Sequence, residues 1–187
     1  MKNICYIILA VVMLSCNQKN QKISPDSIYN VDSSWETQDG NKIKLADLQG
    51  KVLVTAMIFT SCKTACPRLT AEMRNIAKKV GDTDPENIRY VLISIDPDTD
   101  TPEVMSNYLK SNGFSGKEWL FLRSNEENTR MLANVMAVKY KKITPVEFSH
   151  SNIISVYSKN GTLAFQKEGL DTDDDATAEE IKNQIKL

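Results

Sequence analysis

The chain predicts an α/β fold, a mixed sheet with helices on both faces, and three features of the sequence predict it. Two runs, residues 52–60 and 88–95, are apolar almost throughout, as central strands covered on both sides are. Segments with apolar residues at helical spacing alternate with shorter strand-like runs, which calls for strands joined by crossover helices. Two hairpin signals, Asp39-Gly40 and Asn160-Gly161, add antiparallel pairs towards either end.

Taken in order, residues 28–36 and 42–45 read as two short strands joined at Asp39-Gly40, and Gly50 punctuates the entry to the apolar strand 52–60. Residues 68–80 carry Leu69, Met73, Ile76, Ala77 and Val80 at helical spacing. The second apolar strand, 88–95, stops at Asp96-Pro97. Thr101 then caps a helix over 102–112 with Pro102 at its first position and Gly113 just past its end. A short strand at 119–122 precedes a helix to about residue 138, capped by Ser124 with Glu127 three positions on. Strands 152–157 and 162–166 flank the second hairpin turn, and a helix over 176–185 closes the chain. The acidic stretch 171–175 reads as a solvated loop whose last carboxylates cap that helix, since a calcium loop of the EF-hand type is not there. Met73, Met105, Met131 and Met136 fall on apolar helical faces and read as core, as do Trp35 and Trp119.

The 187 residues suit one domain with extensions. A net charge of −1 leaves no basic footprint for nucleic acid and no polybasic membrane patch. The N-terminus is more telling. Lys2 is followed by an apolar stretch, 4–14, too short for a permanent span and suited to an export signal. It ends Met13-Leu14-Ser15-Cys16, which resembles a bacterial lipobox; the alternative is an ordinary secretory peptide with an incidental cysteine. The expected organisation is a signal peptide over 1–15, a lipid on Cys16, a flexible polar tether over 16–27 and a domain over 28–187. The protein would then sit in the bacterial cell envelope, lipid-anchored to a membrane on the periplasmic side.

Cys5 leaves with the signal and Cys16 is consumed by the lipid, so Cys62 and Cys66 are the cysteines of the folded domain. A pair this close makes a poor structural staple, and chemistry is the better explanation. Both lie where a buried strand meets a helix start, and a helix N-terminus favours thiolate over thiol. A C-x-x-C spacing would be the redox motif of thioredoxins; here the spacing is C-x-x-x-C, which spreads the sulfurs enough to hold a soft ion between them. Two sulfurs leave a metal under-coordinated. The sole histidine, His150, lies in an expected loop, 145–150, just ahead of strand 152–157. A lone histidine is ordinarily a surface or hydrogen-bonding group, but beside two unexplained cysteines it becomes the third ligand. Two thiolates and an imidazole suit copper as Cu(I) or Cu(II), with zinc as the alternative.

Three segments, F-T-S-C-K-T-A-C-P at 59–67, S-I-D-P-D-T-D-T-P at 94–102 and F-S-H-S at 148–151, occur in the order found in the Sco/SenC family, which the chain resembles over about residues 28–169. The resemblance implies a thioredoxin-like mixed sheet flanked by helices, with an N-terminal β-hairpin extension and an inserted hairpin. It implies copper as cargo, Cys62, Cys66 and His150 as its ligands, and delivery to the CuA site of a cytochrome oxidase subunit by a monomer. Some members of the family act instead in thiol-disulfide exchange or redox sensing. In that role Cys62 attacks, Cys66 resolves, and the product is a Cys62–Cys66 disulfide. A peroxidase reading has only loose echoes in Thr60 and Arg68. Lys63 stands where the family often has Pro, and Thr99 where a basic residue is common; Lys63 either favours thiolate or is a solvated loop lysine. Asp96 is either a positioning partner of the cysteine loop or of His150, or an Asp-Pro turn closing its strand, and Asp100 is a cap or turn residue.

Overall fold

The structure, a computed structural model, describes residues 23–144, 147–170 and 173–187. The expected signal peptide, the expected lipidation site Cys16 and most of the expected tether lie outside the described residues. Among these residues no helix is long and apolar enough to cross a membrane.

The elements are β1 (Ser34–Thr37), β2 (Lys42–Lys44), β3 (Val52–Ile58), α1 (Ala65–Val80), β4 (Ile88–Ser94), α2 (Pro102–Ser111), β5 (Trp119–Arg123), α3 (Glu126–Val135), β6 (Tyr140–Thr144), β7 (Glu147–His150), β8 (Ile153–Tyr157), β9 (Leu163–Glu168) and α4 (Asp174–Lys186). Seven strands form one sheet in the order β2-β1-β5-β4-β3-β8-β9. β3, β4 and β5 run parallel, and the strands outside them pair antiparallel. This is the expected thioredoxin-like mixed sheet. Every residue of β3 is buried, because β4 and β8 cover its edges and helices its faces.

Helices lie on both faces, as alternation requires. Thr70 of α1 and Tyr108 of α2 share a hydrogen bond at 3.3 Å. Lys167 of β9 reaches Glu72 of α1 at 2.7 Å and Asp174 of α4 at 2.5 Å, so α1, α2 and α4 share a face. Gln166 points to the opposite face, since neighbours on a strand alternate. Its amide donates to the Met136 carbonyl just beyond α3.

Several boundaries differ from expectation, each for a local reason. Residues 28–30 form a 3-10 turn and not strand, because their polar groups are spent on the Asn160-Gly161 turn. Ile28 N–H donates to the Gly161 carbonyl at 2.9 Å, and the Ser27 hydroxyl donates to the Asn160 carbonyl at 2.7 Å. Ser27, read as the end of the tether, is thus docked on the domain. Gly161 has φ 78°, and a Cβ there would lie 2.4 Å from Ser27 Oγ, so the turn requires glycine. The cap of α3 is Asn125, whose side chain accepts from Asn128 N–H at 2.8 Å; Ser124 instead donates its hydroxyl to the Ser34 carbonyl. That helix ends at Val135, since Ala137 at φ 57° reverses the chain. Asp173 caps α4 as expected of the acidic stretch. Met73, Met105 and Met136 are core, whereas Met131 is 41% exposed on the outer side of α3.

The segment read residue by residue as a loop before strand 152–157 belongs to the inserted hairpin that the family resemblance implies. It forms a separate two-stranded ribbon, β6 paired antiparallel with β7, and His150 is the last residue of β7.

Candidate metal centre

β3 ends at Ile58, and the chain crosses Phe59 to Thr64 before α1 begins at Ala65, three residues ahead of the expected start. Cys66 and Pro67 therefore sit in the first turn of α1. Proline is tolerated there because first-turn N–H groups lack intrahelical partners. The same rule explains the sulfur geometry. Cys66 N–H, one of those free donors, points at Cys62 Sγ from 3.4 Å. The thiols are free, buried at Cys66 and half-buried at Cys62.

β8 lies antiparallel beside β3, so the segment preceding β8 arrives at the end of β3 that carries the cysteines. His150 Nε2 lies 3.3 Å from Cys66 Sγ. Phe59 packs against Phe148 at 5.1 Å between centroids and meets the His150 ring edge-on at 6.0 Å. His150 Nδ1 is 3.0 Å from the Ser151 carbonyl, which can only accept, so Nδ1 carries the proton. Nε2 is left with its lone pair facing the sulfurs. Burial lowers the imidazole pKa, opposed by the Ser151 hydrogen bond, and the ring is neutral near pH 7.

The two thiols are polarised in opposite senses. Burial pushes the Cys66 thiol up, and the neighbouring Cys62 sulfur adds to that. Burial acts against the Cys62 thiolate too, but the N–H groups of Cys66 and Thr64 outweigh it and bring its pKa below the ordinary thiol value. Partial alkylation with iodoacetamide near pH 7.5, mapped by mass spectrometry, should modify Cys62 at least about tenfold faster than Cys66. Equal rates would contradict this polarity.

Asp100, a cap or turn residue by sequence, holds the cysteine loop. It is 0% exposed at the end of the turn after β4. Its carboxylate accepts from Thr60 N–H at 3.2 Å, from the Thr60 hydroxyl, and from the Ser94 hydroxyl at 2.5 Å. Burial raises its pKa, opposed by those hydrogen bonds. Nothing local in the sequence separates Asp100 from Asp96; the burial follows from the bend of residues 96–101 beneath the loop. In Asp100→Asn the amide group turns a donor towards a donor, and urea unfolding should show a loss of roughly 1–3 kcal/mol. An unchanged midpoint would remove Asp100 as the anchor.

Asp96 is also buried, 2% exposed, with Oδ1 4.0 Å from Lys142 Nζ and Oδ2 without a hydrogen-bond partner. Lys142 is on β6, so Asp96 touches the ribbon that carries His150 and not the imidazole itself. Lys63 lies exposed between the cysteines.

One ligand atom from each of Cys62, Cys66 and His150 lies within 4.8 Å of the others. Metal–donor bonds of about 2.0–2.3 Å separate three donors by about 3.5–4 Å, so closure needs shifts of under about 1 Å. Two sulfurs and an unprotonated imidazole nitrogen form a set suited to a soft transition metal.

The SCO1 protein homolog of Bacillus subtilis is 30% identical over 113 residues, which are 60% of this chain and 58% of that protein. The chain spans about three-fifths of the length of the curated relatives it matches. A SCO1/SenC family lipoprotein from Bacillus anthracis superposes with a TM-score of 0.73 at 24% identity, covering 81% of this chain and 91% of that one. Copper-bound ScoI of Arabidopsis thaliana gives 0.71 at 21% identity, over 82% and 96%. Yeast Sco1 with copper bound gives 0.63 at 20%, over 82% and 86%. These likenesses show a shared fold. The SCO1/SenC family pattern matches residues 25–186, leaving only the two ends outside it, and the chain belongs to the SCO1/SenC family.

Proposed function

We propose that this protein carries copper on Cys62, Cys66 and His150 and passes it to the CuA site of a cytochrome oxidase subunit. The observation that carries the reading is the convergence of three candidate ligand atoms within 4.8 Å, although His150 lies 84 residues beyond Cys66 in sequence. Copper-bound relatives of the same fold support the choice of metal. Loading replaces the S–H protons still held by Cys62 and Cys66, which leave to solvent, while Nε2 offers its existing lone pair. Transfer is then an exchange of ligands, with no electron moved. Lipid on Cys16 would hold the domain, as a monomer, at the outer side of the membrane where the recipient faces. Reduced protein loaded with copper and passed over a competing chelator should retain about one copper per chain. Loss of all copper would overturn the reading.

The opposed thiol polarities favour a second activity, thiol-disulfide exchange. The Cys62 thiolate would attack a disulfide of the partner, releasing one partner thiolate and forming a mixed disulfide. Cys66 would then lose its proton to solvent and attack Cys62 Sγ. The partner leaves reduced, and the chain is oxidised to the Cys62–Cys66 disulfide.

A further inference from the structure

The β6–β7 ribbon carries charge opposite in sign to the whole chain. Lys139, Lys141 and Lys142 are exposed on it or at its base against one exposed acid, Glu147, while the chain's net charge is −1. Cross-strand pairing sorts these residues by face. Tyr140 opposite His150 and Lys142 opposite Phe148 share one face, where Lys142 lies 5.3 Å over the Phe148 ring and 4.0 Å from Asp96. Lys141 opposite Ser149 occupies the other face, and alternation puts Lys139 there too. Neither Lys139 nor Lys141 has an ion-pair partner among the described residues. Between them runs a shallow groove of about 290 Å³ lined by Lys139, Tyr140, Lys141, Ser149, His150 and Ser151. Towards the ribbon's far end Ile143 is 55% exposed, a large apolar side chain held in water beside a bulge in the pairing.

We propose that the outer face of this ribbon docks an acidic protein surface, the carboxylate-bearing rim of the protein that receives the metal. Carboxylates seat at Lys139 and Lys141, Ile143 supplies the apolar contact, and the groove leads the partner's ligands to the edge of His150. This rests on the copper-transfer reading. A nearly neutral chain gains little from net attraction, so a local basic patch beside the site sets orientation and encounter rate. The ribbon's position suits it: paired only with itself, it projects the patch beyond the sheet next to the third ligand.

The test measures association of the reduced, metal-free chain with a soluble CuA domain of a cytochrome oxidase subunit, with the copper content of each variant measured in parallel. Association should slow by about tenfold between about 20 and 200 mM salt. The double reversal Lys139→Glu with Lys141→Glu should slow it at least about tenfold at low salt, and Ile143→Ser should raise the dissociation rate severalfold. Lys110→Glu with Lys117→Glu, exposed positions at the opposite end of the strands, should leave the rate within about twofold. Equal slowing by both reversals, no slowing by the ribbon reversal, or no association at all overturns the docking surface. A wild-type chain that docks by the ribbon yet retains no copper sinks the copper reading alone.

Discussion

His150→Ala should abolish retention of copper against a chelator, lowering affinity by at least about a hundredfold while the thiols still cycle. The size follows from what the ring supplies. Loss of a group that merely orients a ligand costs about 10–100-fold in metal affinity, and here the ligand itself is removed. The thiols survive because their polarity arises elsewhere, in the N–H groups of Cys66 and Thr64 around Cys62 and the burial of Cys66. Removing the ring also opens the face of Phe59 and Phe148, so His150→Gln is the companion variant; it keeps the volume and loses the imidazole nitrogen. Copper per chain after chelator challenge and the rate of disulfide exchange with a small disulfide are the two readouts. Full retention of copper in both variants would show that the imidazole is not a ligand. Loss of both properties together in His150→Gln would mean that the ring holds the site's shape and does not bind the metal.

Lys167→Met should lower stability by about 3–5 kcal/mol, the largest loss expected from a single change outside the core. Lys167 is almost wholly buried between Glu72 and Asp174. Burial alone would lower its pKa, but the hydrogen bonds to Asp174 and Glu72 raise it above the ordinary value, so it stays charged. Methionine fills much of the same volume without a charge, which isolates the ion group from packing. Two carboxylates then lose their shared cation to an apolar side chain, and for a domain of this size the melting temperature should fall by roughly 10 °C. Lys167→Met with Glu72→Met and Asp174→Asn should recover much of it, because replacing a whole buried ion group is far milder than breaking one. A fall of under about 1 kcal/mol in the single variant would mean that water reaches the group and that it acts as a surface pair.

The central architecture was legible because it is written in runs. Val52 to Ile58 and Ile88 to Ser94 are apolar enough to be buried strands in any context, and Thr101-Pro102 marks a helix start without outside help. The three candidate ligands were legible for a different reason: two cysteines at a strand-to-helix junction demand a use, and there is one histidine to join them. What the sequence hid depends on contacts far along the chain. Residues 28–30 depart from strand because the Asn160-Gly161 turn takes their hydrogen bonds. The inserted hairpin was implied by the family resemblance, but the residues alone did not mark the β6–β7 ribbon, because its lysines are exposed on both strand faces and hydrophobic alternation is weak; Tyr140 and Phe148 are its apolar inward marks among the described residues, and Ile143 points to water. Asp100 became the anchor of the cysteine loop through burial beneath Thr60, a property no spacing rule carries.

Pairing of β8 with β3 has a bearing on when the metal can be caught. The sulfurs lie about a third of the way along the chain and the imidazole in its last quarter, with the parallel strands β4 and β5 between them in sequence. Long-range closures of this kind come slowly in folding. A chain still folding presents only a bare dithiol, whereas the three candidate donors converge once the late strand has zipped into place. On the proposed copper-carrying role, tight uptake is thereby reserved for molecules that have finished folding.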